Sequence, residues 1–203
     1  MIFMGSFSAD YTLIKANSFI KKGKMDEACR LYSKVLTNFP ENSRAKAGLT
    51  TAHEALAANH VNLLWRLLRD DQTELVLSQT SILVKKFTHA FSIWNLLGAA
   101  LHKNGRTIES IGVYQQALRF NPECAEVHNN IGNSLRQIGD FQNAIKSYKQ
   151  AIRINPSYTN ALINLGEAYK RTGNFTDAIA KYKAALKIKP NNADLHNNKG
   201  IIL

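Results

Sequence analysis

Between Ala125 and Asn192 the apolar residues recur twice with the same spacing, so the stretch divides into two 34-residue blocks that superimpose. The first block, Ala125 to Tyr158, carries Ile131-Gly132, Leu135, Gly139, Ala144, Tyr148, Ala151 and Pro156. The second, Thr159 to Asn192, carries Leu165-Gly166, Tyr169, Gly173, Ala178, Tyr182, Ala185 and Pro190 at matching places. At about 100° per residue the fourth, seventh, eighth and eleventh positions of a block share one side of a helix, which groups His128, Ile131, Gly132 and Leu135. Ala144, Tyr148, Ala151 and Ile152 form a second such stripe. Gly139-Asp140 and Gly173-Asn174 interrupt the pattern where a left-handed residue would end the first helix, and Pro156 and Pro190 end the second. Each block therefore predicts a helical hairpin, with small residues where its helices cross and a stripe that only a neighbouring hairpin can bury.

The same frame runs backwards through the chain. Phe91 to Cys124 is regular, with Trp94, Leu97-Gly98, Leu101, Gly105, Tyr114, Ala117 and Pro122, and with Ser110 in place of the usual Ala. Residues 57–90 are degenerate: Val61, Leu64, Trp65 and Leu68 predict one helix, Leu75, Val76, Leu83 and Val84 a second, and Asp70-Asp71 stands at the turn. Residues 9–42 form a first hairpin through Ala16, Phe19, Gly23, Ala28, Tyr32 and Pro40, without the Leu-Gly pair. A helix capped by Asn42 or Ser43 then runs to Ala58 and covers that hairpin. The predicted organisation is an N-terminal hairpin plus capping helix over 1–58, a join near 57–60, and an array over 59–203 that ends in a partial block, 193–203, with Ile201 and Leu203 uncovered and available for self-association.

The 34-residue pattern of a large residue, Leu-Gly, Tyr, Ala, an aromatic and Pro resembles the tetratricopeptide repeat. The resemblance implies an all-α, right-handed superhelical solenoid of antiparallel helix hairpins, whose first helices line a concave groove. On each first helix the second, sixth, ninth and thirteenth positions cluster within about 80°, opposite the apolar stripe. The groove expected on this basis is Ser92, Leu96, Ala99 and Lys103; Glu126, Asn130, Asn133 and Gln137; Asn160, Asn164, Glu167 and Arg171; then Asp194 and Asn198; with His102, Arg136 and Lys170 at its edge. Asn95 joins the set, and Asn198 continues it into the partial block.

Asn130, Asn164 and Asn198 recur at the sixth position of three successive blocks, while Leu96 interrupts the series before them. An Asn side chain both donates and accepts, so such a ladder can hold the backbone of an extended peptide whatever its side chains. This is similar to the asparagine ladder in the tetratricopeptide arm of O-linked N-acetylglucosamine transferases; repeat duplication alone would also produce it. Chaperone-tail-binding tetratricopeptide domains use Lys and Arg positions that are Asn95, Asn160 and Asn164 here, and Ala99 stands at an Asn position, so only Asn130 fits that clamp. Arg136, Lys170 and Arg171 suggest a preference for acidic side chains on the bound peptide.

Charge changes this picture little. The net +11 is spread as +3 over 1–58, +1 over 59–90, +1 over 91–124, +2 over 125–158, +4 over 159–192 and 0 over the tail. The densest run, Lys181, Lys183, Lys187 and Lys189, lies on an outer helix face that solvent would cover, which argues against nucleic acid as the partner. Cys29 and Cys124 are isolated and the six histidines include no metal-ligand spacing, so no metal, cofactor or disulfide framework is expected. Phosphate-binding and nucleophile motifs are absent, and with them the usual grounds for an enzyme. No apolar run is long enough to span a membrane and the opening Met1-Ile2-Phe3-Met4 lacks a basic flank, giving a cytoplasmic expectation. The resulting function is an adaptor or scaffold that binds a protein or extended peptide. The alternatives are the substrate-presenting arm of a glycosyltransferase or sulfotransferase, as in bacterial proteins that join such repeats to a transferase, and a basic solenoid for nucleic acid.

Overall fold

The computed structural model describes residues 8–190, so the partial repeat 193–203, with Asn198, Ile201 and Leu203, falls outside it. Ten helices make up the described residues: α1 (Ala9–Lys21), α2 (Met25–Asn38), α3 (Ser43–Arg69), α4 (Thr73–Lys86), α5 (Phe91–Lys103), α6 (Thr107–Phe120), α7 (Ala125–Gln137), α8 (Phe141–Ile154), α9 (Thr159–Arg171) and α10 (Phe175–Ile188). The fold is an all-α helical repeat. It divides into two compact units whose boundary falls within α5, between Leu96 and Leu97, rather than at residue 58.

Turns within the hairpins share one chemistry. Gly23, Gly105, Gly139 and Gly173 adopt positive φ, and Asp71 does so at the equivalent place with φ 61°. In each turn the next residue's N–H reaches back to the last turn of the helix: Lys24 to Phe19 O, Gln72 to Leu67 O, Arg106 to Leu101 O, Asp140 to Leu135 O and Asn174 to Tyr169 O. These are the six-to-one bonds of a Schellman cap, which satisfy carbonyls that the helix itself cannot. Asp tolerates the left-handed region better than most side chains, which is why the degenerate block keeps the turn without glycine.

In the first unit Leu13, Ala16, Ala28, Tyr32, Val35, Ala45, Leu49 and Ala52 make one core from α1, α2 and α3. The missing Leu-Gly pair of the first hairpin is compensated from outside it. Gly48 of α3 lies against the Tyr32 ring so closely that a Cβ there would meet Cε1 at 2.3 Å. In the second unit the glycine and tyrosine come from the same block: Gly98 faces Tyr114, Gly132 faces Tyr148 and Gly166 faces Tyr182. Tyr148, Tyr182, Leu162, Leu165, Tyr169 and their alanine neighbours form the core of α8, α9 and α10.

Two boundary expectations are corrected. The capping helix does not stop at Ala58: α3 continues to Arg69 through the expected join, because Ala57-Ala58-Asn59-His60 contains no glycine or proline to stop it. Its buried residues, Ala45, Leu49, Ala52, His53, Ala57, Val61, Leu64 and Leu68, form one unbroken stripe. In α4 the buried set is Val76, Leu77, Thr80 and Leu83, with Leu75 exposed, so the stripe sits one residue later than the apolar spacing suggested. Thr80 can occupy it because its hydroxyl donates to Val76 O at 2.6 Å.

Across the first unit, Glu54 of α3 accepts from the Ser92 backbone N–H at 3.0 Å and from its hydroxyl, giving the N-terminus of α5 the anionic cap that Ala90 cannot supply. Beside it, His53 Nδ1 accepts the His89 backbone N–H at 3.2 Å, with Phe87 packed against the His53 ring. Both cysteines are half-buried, and burial, reinforced by Asp26, pushes the Cys29 thiol up to about 11. No helix of the described residues is long and apolar enough to cross a membrane, and none of their His, Cys, Asp and Glu clusters could hold a metal ion.

Candidate functional site

The first helices of two adjacent repeats in the second unit, α7 and α9, bring several expected residues to one place. A cleft of about 370 Å³ is lined by Glu126, Asn129, Asn130, Asn133, Tyr158, Asn160, Ile163 and Asn164. Of the expected residues, Glu126, Asn130, Asn133, Asn160 and Asn164 lie in it. The sixth-position ladder is thus brought together over two of its three rungs, while Asn198 lies outside the described residues.

Asn129 organises the cleft. It is only 4 % exposed, yet its Oδ1 accepts from Asn164 Nδ2 at 2.9 Å and its own Nδ2 donates toward Asn130 Oδ1 at 3.5 Å. One buried amide therefore ties both rungs. Sequence reasoning selected the rungs and missed this side chain, because the fifth position lies between the apolar stripe and the groove face on a helical wheel. A signal did exist: Asn95 and Asn129 occupy the same block position.

Other expected residues are engaged elsewhere. Asn133 Oδ1 accepts the buried Tyr148 hydroxyl at 2.9 Å, and Glu167 accepts that of Tyr182 at 3.2 Å. Glu167 also pairs with Lys170 at 2.6 Å, so both charges are compensated locally. The Arg171 guanidinium stacks 5.6 Å above the Phe141 ring. Arg136 is exposed beside Tyr148 and His102, and the cations read as favouring acidic peptides therefore stand outside the cleft lining. Lys103 is exposed, and Gln137 lines a separate depression with Thr107, Ile108 and Ile138.

His102 turns inward. Its Nδ1 lies 3.0 Å from the Ser134 hydroxyl, which lies 2.9 Å from that of Ser110, and Ser110 donates to Thr107 O at 2.7 Å. With that last donor fixed, Ser134 donates to Ser110 and the His102 Nδ1–H donates to Ser134. Burial, followed by the nearby Arg136 charge, lowers the His102 pKa and favours this neutral tautomer. Ser110, the departure from the repeat's alanine, is what makes the chain possible. Asn95 belongs to the first unit, is 7 % exposed and lies outside the lining of this cleft; its Oδ1 has no hydrogen-bond partner among the described residues.

Electrostatically the cleft is acidic. Glu126 is its one charged lining residue. Tyr114 and Tyr158 both have pKa values raised, first by burial and then by the Glu126 charge.

Three family models match the chain, as "TPR repeat" at residues 132–173 and 171–203 and as "Tetratricopeptide repeat" at 13–42 and 91–124. No protein of curated function matches it. Among solved structures, the chain is similar to TTC0263, a thermophilic TPR protein of Thermus thermophilus, at 20 % identity and TM-score 0.59 over 96 % of this chain and 98 % of that one. It is similar to YrrB, described as a TPR protein with an unusual peptide-binding site, at 16 % identity and TM-score 0.61 over 95 % and 92 %. It is also similar over 55 % of its length, and 89 % of the other chain, to the first TPR of Spaghetti (RPAP3) bound to the HSP90 peptide SRMEEVD, at 23 % identity and TM-score 0.54. Hairpins with capped turns, glycines packed on tyrosines and the matched repeats agree: the chain belongs to the tetratricopeptide-repeat family.

Proposed function

We propose that this protein is an interaction module that holds an extended segment of a partner protein in the cleft between α7 and α9. The observation that carries the reading is the amide chain Asn164–Asn129–Asn130. A buried Asn fixes the two rungs, so binding need not order them, and side chains that both donate and accept suit a peptide backbone. Extended polypeptide suits this arrangement because its alternating N–H and C=O groups match side chains that both donate and accept. The two solved relatives whose descriptions mention a peptide ligand or a peptide site support the same class of partner.

A peptide library tests it. The double variant Asn130→Ala/Asn164→Ala should bind selected peptides about tenfold more weakly, from two lost hydrogen bonds at about 0.5–1.5 kcal/mol each. Both changes also remove partners of buried groups, Asn129 Oδ1 and the Tyr114 hydroxyl, so the double variant should unfold at a lower temperature and its binding is compared well below that transition. Equal binding by the two proteins would reduce the ladder to a by-product of repeat duplication.

A further inference from the structure

Resting on the reading just given, we propose that Glu126 makes the cleft selective for an extended partner segment that presents one Lys or Arg side chain, whose cation it binds while Asn130 and Asn164 hold the backbone.

The argument begins with which carboxylates are already satisfied. In the second unit Glu109 meets Arg106 at 2.7 Å, Glu123 meets Arg153 at 3.1 Å and Glu167 meets Lys170 at 2.6 Å. Glu126 meets no Lys or Arg among the described residues, although the chain as a whole carries a net charge of +11. It stands in the first turn of α7, at the positive end of the helix dipole. This carboxylate without a Lys or Arg partner is part of the cleft lining, beside Asn130 and Tyr158.

The rest of the lining matches the shape of a long basic side chain. Ile163 and the Tyr158 ring offer a half-buried apolar wall for the methylene stem, and a tyrosine face also attracts a cation. Asn129, Asn133 and Asn160 add neutral dipoles without a competing positive charge. An acidic side chain entering here would meet Glu126 with no compensating cation in the lining. The surrounding charge sets a second condition, since a polybasic segment would be repelled by the chain's excess of Lys and Arg. The matching segment therefore has a single basic residue among uncharged or acidic neighbours.

The experiment uses a displayed random dodecapeptide library, followed by synthetic pairs of selected peptides in which the basic residue is kept or replaced by Gln. Wild-type protein should select peptides that share one basic position, and the Gln replacement should weaken binding about five- to tenfold. Glu126→Gln should shrink that difference below about twofold, and Glu126→Lys should move the preference toward acidic peptides. Urea unfolding of each variant verifies that the fold is retained. Selected peptides that depend on Asn130 and Asn164 but share no basic position would overturn this inference alone, as would unchanged discrimination by a folded Glu126→Gln protein. Failure to select any peptide, or binding indifferent to Asn130 and Asn164, would overturn the proposed function and this inference with it.

Discussion

The hydroxyl of Tyr148 donates to Oδ1 of Asn133 across 2.9 Å, fifteen residues back in the same hairpin, and Tyr32 repeats the bond to Asn17 at 2.6 Å with the same separation. Tyr182 does so with Glu167. The ninth position of the repeat is thus a hydrogen-bond acceptor for the ring that fills the hairpin. Where Ala99 stands there, Tyr114 has no such acceptor, and Asn130 of the next repeat lies beside its hydroxyl instead.

Removing the acceptor should therefore cost more than removing the donor. Asn133→Ala leaves the Tyr148 O–H without its acceptor, which the neighbouring Arg136, a donor only, cannot replace, and should destabilise by about 1–3 kcal/mol, whereas Tyr148→Phe leaves only a half-exposed amide that water can satisfy and should cost about 0.5–1.5 kcal/mol. Urea titrations of the two variants would give the order. A larger loss for Tyr148→Phe would show that the hydroxyl matters through something other than Asn133.

Glycine-to-alanine changes should split by location. At Gly132 a new Cβ would sit 2.5 Å from Cε1 of Tyr148, a ring that is fully buried and cannot swing away. Overpacking at about 1–3 kcal/mol outweighs or at best matches the roughly 1 kcal/mol gained in helix propensity, so Gly132→Ala should lower the melting temperature. Gly112, exposed in α6 with nothing within 4 Å of an added methyl, should gain most of that propensity instead. Thermal denaturation followed by helical circular dichroism decides between them, and a stabilised Gly132→Ala protein would mean that the hairpin has room to spread.

Stability of the first unit should fall with pH before the carboxylates titrate. Burial, reinforced by the neighbouring His89, lowers the His53 pKa to about 4, against an unfolded value of about 6.5. A depressed histidine stabilises the fold fully above its unfolded pKa, and that contribution is lost as pH falls from about 6.5 toward 4, reaching on the order of 3 kcal/mol. Protonation also abolishes the acceptor that holds the His89 N–H. Urea midpoints at about pH 7.5 and about pH 5.5, on either side of the unfolded value, should differ in wild type and differ less in His53→Leu, where His89 and His102, also lowered by burial, still contribute. An equal drop in the variant would assign the effect to other groups.

Glu54→Ala should destabilise by about 1–2 kcal/mol, because the Ser92 N–H and hydroxyl both lose a charged acceptor at the start of α5. Hydrogen exchange at Ser92 should accelerate in the variant. Unchanged protection there would show that the helix end is held by its neighbours alone.

Much of the hairpin architecture was legible because it follows from spacing. The turn glycines, the Gly132–Tyr148 contact and the capped end at Asn42 each rest on short-range geometry that a periodic sequence displays. Asn129 was missed, and Glu126, although read as groove-facing, was not singled out, for a different reason. An amide pattern identifies which side chains face a groove, but it does not reveal which one is tied down by the next helix or which carboxylate lacks a cation. Asn133 and Glu167 illustrate the same limit, since groove-facing position and service to a buried tyrosine are compatible in one side chain.

The uninterrupted α3 joins two repeat frames that are out of step by fourteen residues, from 43 to 56. At about 3.6 residues per turn this interval is close to four whole turns, a misfit of only about 40°. The buried stripe inside the interval, Ala45, Leu49, Ala52 and His53, and the one after it, Val61, Leu64 and Leu68, therefore point the same way, so one continuous helix absorbs the irregular count. The interval consequently acts as a phase-keeper with few permitted lengths. Deleting seven residues would turn Val61, Leu64 and Leu68 by about 20° relative to Leu49 and Ala52, whereas deleting two would swing them by about 200° and set the downstream stripe facing water.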